Sequence, residues 1–470
     1  MRGKFFTFLL VFAAVVMLGA SASAQQKFTA ALNTIQEVPP VTNSVGRGSC
    51  VLTLNVAQTQ FSITCEYSGL SSGLTTGGAH IHGPAAPGAN ASVLFPLNPT
   101  AGTTSGTINA GPFTVTPAQV AELRAKRWYV NLHTTNNTGG EIRGQLKIQT
   151  TPFDLDGDGR TDISAYRPGA AGTTFTIFSI NNSFQSNIFG FTNEVPLPTS
   201  ASNDFDGDGR GDLVLLRISN NNWVWRILQT RTNTVREVFW GLGPNTDDLV
   251  PADYDGDGMT DIAVYRFSTG VWYILQSSNN QLRTEFWGQA GNPNEYGMVG
   301  DFDADGRSDL TILRYTATTM LWSTRRSSDN AVQVREWGNS ATDSHIYTWA
   351  QIDVDGDGIQ DRAIARDPNP ASSATGDQIT VFVLRSSDGG QFALPFGRDT
   401  DSPFAGDFDG DGRTDFAARR NESGTLVWYI ALSSNNWNTA QPRVVRFGQA
   451  GDLLVEEAEE EFPSREPINY

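Results

Sequence analysis

A nine-residue pattern, Asp-x-Asp-x-Asp-Gly-x-x-Asp, occurs six times in the 470 residues of this chain. The copies begin at Asp154, Asp204, Asp253, Asp301, Asp353 and Asp407, at intervals of 50, 49, 48, 52 and 54 residues. Spacing this regular marks a structural repeat that carries one loop per unit. Each copy gathers four carboxylates: Asp154, Asp156, Asp158 and Asp162; Asp204, Asp206, Asp208 and Asp212; Asp253, Asp255, Asp257 and Asp261; Asp301, Asp303, Asp305 and Asp309; Asp353, Asp355, Asp357 and Asp361; Asp407, Asp409, Asp411 and Asp415. Carboxylates packed this closely repel one another unless a cation neutralises them. Calcium, a hard cation taking roughly six to eight oxygen ligands, suits a loop with a side chain at every second position followed by a sharp turn. Glycine stands at position six of every copy (Gly159, Gly209, Gly258, Gly306, Gly358, Gly412), where the turn needs a conformation that glycine adopts at least cost. Position seven, Arg160 in the first copy, would add its backbone carbonyl, and the position-nine aspartate would close the cage with both oxygens. The sequence thus predicts about six bound Ca²⁺. The rival reading, ion-free Asp/Gly turns, leaves the repulsion uncompensated six times over.

The residues around the loops read as strands. After each position-nine aspartate an alternating apolar run ends five residues on in arginine: Arg167, Arg217, Arg266, Arg314, Arg366 and Arg420. A second strand, usually opened by an aromatic (Phe175, Trp225, Trp272, Trp322, Trp428), precedes a third that ends in aromatic-Gly, as in Trp240-Gly241 and Phe447-Gly448. A short fourth run leads into the next loop. Four strands per unit, repeated radially, is the arrangement of a β-propeller. Six loops and six aromatic-Gly corners predict six blades; seven, the alternative, lacks sequence for the last. The run from Asp452 to Ala458 matches the strand before each loop, so it is expected to complete the first blade and close the ring. The tryptophans are expected to pack between blades, and the arginines to pair with loop carboxylates or aromatic faces. The first half of each loop is similar to an EF-hand loop, but no Glu stands at position twelve and strands, not helices, flank it. Residues 154–458 as a whole resemble the FG-GAP/VCBS repeats, the calcium-loop blades that also build the integrin α-subunit propeller. That resemblance implies a propeller in an extracellular setting, calcium at the cages, and a role in binding.

The N-terminus predicts export. Arg2 and Lys4, the apolar stretch Phe5 to Leu18 and Ala22-Ser23-Ala24 form the pattern of a cleaved signal peptide, residues 1–24. No other run approaches the ~20 apolar residues of a membrane span, so the product would be secreted, periplasmic or on the cell surface. The formal net charge is −17, and 24 of the 50 acidic residues lie in the loops, so the acidity mostly reports metal sites. It argues against nucleic acid or an anionic membrane as partner, both of which select basic surfaces. The partner expected instead is an extracellular protein or glycan. Residues 459–470 form an acidic tail.

Residues 27–148 carry no such loop, and residues 149–153 link them to the repeats. Both cysteines of the chain lie here. Ser49 to Val56 and Gln60 to Tyr67 alternate like strands of one hairpin, whose folding sets Cys50 opposite Cys65; export favours a disulfide between them. Thr116 and Pro117 open a helix expected to run to Lys126. Three motifs, Gly78-Ala79-His80-Ile81-His82-Gly83-Pro84, Trp128-Tyr129-Val130-Asn131-Leu132-His133-Thr134 and Gly140-Glu141-Ile142-Arg143-Gly144-Gln145-Leu146, resemble a CHRD (chordin-type) domain, which implies an extracellular β-sandwich-like module. His80 and His82 share one face of a strand, and His133 lies on another. With Cu or Zn as the ion, this is one possible site; the pattern is similar to the copper-binding His-x-His strand of Cu/Zn superoxide dismutases, although no further histidine is present for a second metal. A hydrogen-bonded cluster stapling two strands is the other reading. The chain is therefore expected to be all-β, a CHRD domain followed by a propeller, with recognition or adhesion and no catalysis as its function. A Cu/Zn redox protein and a calcium-dependent lectin are the alternatives.

Overall fold

Alternation of apolar and polar residues dictates most of what folds here, and the computed structural model describes it over residues 26–453 except 87, 149–150, 180, 198–202, 244–245, 345–350 and 370–375. The export segment 1–24, the tail 459–470, His345 and most of the expected closing strand lie outside the described residues.

Nine strands make the N-terminal sheet: β1 (Gln26–Asn33), β2 (Arg47–Leu54), β3 (Gln60–Ser68), β4 (Leu74–His82), β5 (Val93–Pro96), β6 (Gly106–Thr114), β7 (Tyr129–Thr134), β8 (Ile142–Gln145) and β9 (Lys147–Ile148). Their order is β5-β4-β7-β8-β1-β2-β3-β6, with β9 beside β1. The sandwich-like domain expected from the sequence is instead one nearly closed sheet. Its two end strands come together, with the rings of Phe95 on β5 and Phe113 on β6 5.3 Å apart. A strand with one apolar face suits both architectures, which is why alternation did not separate them. The curl encloses one core in which Phe28, Leu52, Phe61 and Trp128 are fully buried. Helix α1 (Pro117–Arg124) begins with Thr116 and Gln119 bonding each other's backbone N–H, a capping box, and stops two residues earlier than expected.

In the β2–β3 hairpin Cys50 faces Cys65, and the two form a disulfide. It closes a loop of 15 residues, for which chain entropy gives about 3 kcal/mol. The double variant Cys50→Ala, Cys65→Ala should lose that amount in denaturant unfolding of this domain; an unshifted midpoint contradicts it.

The rest of the described chain forms a six-bladed β-propeller. Blades two to six are four-stranded, for example Asp247–Leu249, Ile262–Arg266, Val271–Leu275 and Leu282–Phe286 in blade three. Blade one has three strands of its own, Ile163–Arg167, Gly172–Ile177 and Phe184–Gly190. The last described residue reaches it: Tyr166 and Leu453 form an antiparallel bridge with N···O distances of 2.9 and 2.7 Å. Each acidic loop lies between the first and second strands of its blade, except in blade one, where it leads into the first of the blade's own strands.

The tryptophans on the third strand of blades two, three, four and six are buried and tied within their own blade. The indole N–H of Trp225, Trp272, Trp322 and Trp428 donates to the carbonyl of the aromatic-Gly corner, at 2.8 to 3.2 Å. The corner tryptophans make the links between blades: Trp240 donates to Tyr273 O and Trp287 to Ser323 O. The strand arginines stack on aromatic faces, as Arg167 does on Phe175 and Arg266 on Tyr273. Their carboxylate partners, however, are not in the loops. The run after each corner supplies one for every arginine: Asp452 for Arg167, Glu194 for Arg217 (which also bonds Glu237 on the outer strand), Asp247 for Arg266, Glu295 for Arg314, Asp343 for Arg366 and Asp401 for Arg420.

Candidate metal centres

In the first loop the Asp154 carboxylate is held by its own backbone. Its Oδ1 accepts from Gly157 and Asp158 N–H and its Oδ2 from Gly159 N–H. Gly157 and Gly159 adopt φ of 78° and 79°, the left-handed turn that lets the chain double back around one side chain. Asp162 accepts from Leu155 N–H and from Ser179 N–H of the neighbouring strand end. The same pattern recurs at Asp204 with Asp212 and at Asp253 with Asp261.

Three of the four carboxylates converge. In the first four loops an oxygen from each of positions one, three and nine lies within 4.8 Å of the others: Asp154, Asp156 and Asp162; Asp204, Asp206 and Asp212; Asp253, Asp255 and Asp261; Asp301, Asp303 and Asp309. The position-five aspartates accept the N–H of position seven, and Asp158 and Asp257 also accept serine hydroxyls, from Ser179 and Ser277. The fifth and sixth loops keep the same bonds at Asp353 with Asp361, at Asp407 with Asp415, and at the position-five residues Asp357 and Asp411. Asp355 and Asp409 hold position three there, and Asp208 and Asp305 position five in loops two and four.

The loops form a second ring inside the propeller. The position-one carbonyl of each loop accepts the N–H of position eight in the next: Asp154 from Gly211, Asp204 from Thr260, Asp253 from Ser308, Asp301 from Gln360 and Asp353 from Thr414. Asp407 accepts from Thr161 of the first loop at 2.6 Å, which completes the circle. Position-seven side chains lie over the preceding loop, as Arg210 does over Gly157 and Arg307 over Gly256.

The electrostatics of the cages fit a cation. Burial first, then the position-three carboxylate, pushes Asp212 and Asp309 up to about 8. Asp415 is likewise pushed up to about 8, mainly by burial, and Asp261 and Asp361 to about 7. Asp154 and Asp353 are likewise raised well above the ordinary carboxylate value, again by burial and by the surrounding aspartates. At neutral pH such groups hold protons or a cation, and an all-oxygen, multi-carboxylate donor set selects a hard divalent ion. Asp208 Oδ2 is buried with no hydrogen-bond partner among the described residues.

The N-terminal sheet sits on this loop ring. Lys126 Nζ bonds Asp253 Oδ2 at 2.9 Å and Gly256 O at 3.0 Å. Lys147 Nζ is 3.6 Å from Asp301 Oδ2, and Lys27 donates to Gly410 O. Ala31 and Ile148 pack so closely on Gly358 and Gly209 that a Cβ there would collide with Ala31 at 2.5 Å and crowd Ile148 at 3.1 Å. Nothing in the sequence pattern pointed to this contact, because lysines spaced through a sheet carry no periodic signal.

His80, His82 and His133 come together on the outer face of β4 and β7, one ring nitrogen of each within 4.8 Å of the others. His82 is 8% exposed and stacks on Tyr129, rings 5.0 Å apart and 7° from parallel. Burial lowers all three from the usual histidine range, His80 to about 4, with the neighbouring imidazoles adding to the effect there. Glu141 does not join them; it is buried among Ser44, Ser71 and Thr134, whose hydroxyls it accepts.

Among curated proteins nothing matches this chain. Solved structures with a similar arrangement include TolB from Acinetobacter baumannii (11% identity, 69% of this chain and 78% of that one, TM-score 0.39). The β-propeller domain of the Trilobed protease from Pyrococcus furiosus is another (10% identity, 68% and 80%, TM-score 0.32). Likeness of this degree adds nothing about activity. Family models match in two places: the CHRD domain over residues 28–146 and the FG-GAP-like repeat over residues 204–264. With its nearly closed sheet and its six blades, the chain carries a CHRD domain followed by a β-propeller that contains an FG-GAP-like repeat.

Proposed function

We propose that this is an exported recognition or adhesion protein, without catalysis, whose propeller is clamped by calcium at six aspartate loops and presents its outer strands to a protein outside the cytoplasm. The observation that carries the reading is the commitment of the loop carboxylates to a structural ring. They are bonded to their own backbone, in loops that backbone groups link one to the next and that the CHRD domain covers, so they support the scaffold and are not a substrate cleft. An FG-GAP propeller is consistent with recognition, and the outermost strands keep large apolar side chains in the open: Phe184 and Ile188, Phe239, Phe286 and Val334 are each more than half exposed. Exposed apolar side chains repeated around a rim suit a protein partner. No helix among the described residues is long and apolar enough to cross a membrane, and the leader pattern supports export.

The test is capture on the purified full-length protein from culture medium and cell envelope, in calcium and again in chelator, beside a glycan array. A protein retained in calcium and lost when Phe239 and Phe286 are changed to Ser supports the reading. Calcium-dependent glycan binding with no protein capture replaces it with a lectin. Capture indifferent to both changes removes the rim from consideration.

A further inference from the structure

The three histidines of the CHRD domain stand apart from the calcium loops in place and in chemistry. Their hydrogen bonding sorts the ring nitrogens. His82 Nδ1 faces Ala91 O at 3.0 Å, and His133 Nδ1 faces Thr138 O at 3.1 Å. A carbonyl only accepts, so each Nδ1 carries the proton and each Nε2 keeps its lone pair. Both Nε2 atoms are buried with no partner among the described residues, as is His80 Nδ1. A stapling cluster, the other reading of these residues, would spend these nitrogens on hydrogen bonds between the strands; here none of the three is spent. Three unpaired imidazole nitrogens facing one another in a buried pocket are otherwise costly.

The surroundings hold the rings in place. Strand register sets His80 opposite Asn131 and His82 opposite Tyr129. Tyr129 in turn lies between the His82 ring and the Arg143 guanidinium, which is 3.5 Å from its centroid. Backbone carbonyls that fix the outward N–H of a ligating histidine are the usual outer support of a metal site.

We propose that His80, His82 and His133 bind one zinc or copper ion through Nδ1, Nε2 and Nε2 respectively, leaving a fourth position for water or a small ligand. Three neutral imidazoles select zinc or copper over calcium, which prefers oxygen.

The test uses full-length protein stripped with chelator and then saturated with Ca²⁺ to fill the oxygen cages. Titration with Co²⁺ should yield one ion per chain with the intense visible bands of four-coordinate nitrogen ligation, displaced by Zn²⁺. His82→Gln and His133→Gln should each abolish the bands and weaken Zn²⁺ binding by more than the roughly 10–100-fold that loss of an outer support costs. Their calcium-dependent melting should remain that of the parent. Absence of the bands in the parent protein, or their survival in both variants, overturns the site. Because the parent titration stands alone, a variant that fails to fold leaves the outcome decidable.

Discussion

Chelation of calcium should lower the melting temperature of the propeller by on the order of 20 °C. Extracellular calcium is taken as ~1 mM and each loop as binding near 10⁻⁴ M, the strong end of the extracellular range. Linkage then gives about 1.4 kcal/mol per site. Six independent sites give roughly 8 kcal/mol, as much as the whole stability of many domains. At about 2–4 °C per kcal/mol for a unit of this size, the shift follows. The backbone ring from Asp154 O through Asp407 O joins each loop to the next, so losing one site should loosen its neighbours as well. Asp257→Ala, which removes one position-five carboxylate, should open blades three and four to protease in calcium at concentrations that protect the parent. Equal melting curves in calcium and chelator would remove calcium as the clamp.

The same groups set a pH dependence that changes sign with the ion. Asp212, Asp309 and Asp415 are raised by burial to about 8 from an ordinary value of 3.8. Between those limits the folded, calcium-free protein binds more protons than the unfolded chain. The stability these groups contribute is therefore full below pH ~4 and is lost as pH rises toward about 8. Calcium competes with those protons, so the stabilisation it adds grows over the same range. The gap between melting temperatures in calcium and in chelator should widen from pH 5 to pH 8; a constant gap contradicts the assignment of these carboxylates.

How far each feature was legible depends on whether its geometry is local. The loops were plain because the ligands of one ion lie within nine residues, and the Cys50–Cys65 pair because a hairpin of known turn fixes its own register. The partners of the arginines were not. Asp401 follows its corner glycine by four residues and Glu295 by seven, a variable spacing without a motif. The ring between loops was invisible for another reason. It is made of backbone groups, and the donor position is filled by Thr161, Gly211, Ser308 or Gln360 indifferently. The curl of the CHRD sheet and its seat on the loops depend on contacts between distant segments, such as Lys126 with Asp253. The histidine cluster lies between: His80 and His82 share a face by alternation, but the proximity of His133 required the pairing of β4 with β7.

Asp452→Ala should destabilise the propeller by about 2 kcal/mol and Asp247→Ala by a similar amount, yet only the first should open the ring. Both aspartates are buried and grip an arginine with two oxygens, Arg167 at 2.7 and 2.8 Å and Arg266 at the same distances. Breaking a fully buried pair costs ~3–5 kcal/mol, and the value is reduced here because the Arg167 side chain is 40% exposed. The chemistry is matched but the topology is not. Asp247 and Arg266 are 19 residues apart within one blade, whereas Asp452 and Arg167 are 285 apart and join the last described segment to the first blade. Beyond that ion pair, blade one holds the C-terminal segment through the Tyr166–Leu453 bridge, and Arg419 donates to Asp452 O. Deleting residues 452–470 removes all of these, at about 1 kcal/mol more for each backbone hydrogen bond, and bares the edge of Ile163–Arg167. An unpaired edge strand recruits another. The truncated protein should therefore show concentration-dependent association by sedimentation, with a larger hydrodynamic radius in chelator than in calcium, because the Thr161–Asp407 contact between the first and last loops then closes the ring together with the packing of Phe153 on Phe404. A truncated protein that stays monomeric and melts with the parent would show that the ring is held shut without the C-terminal segment.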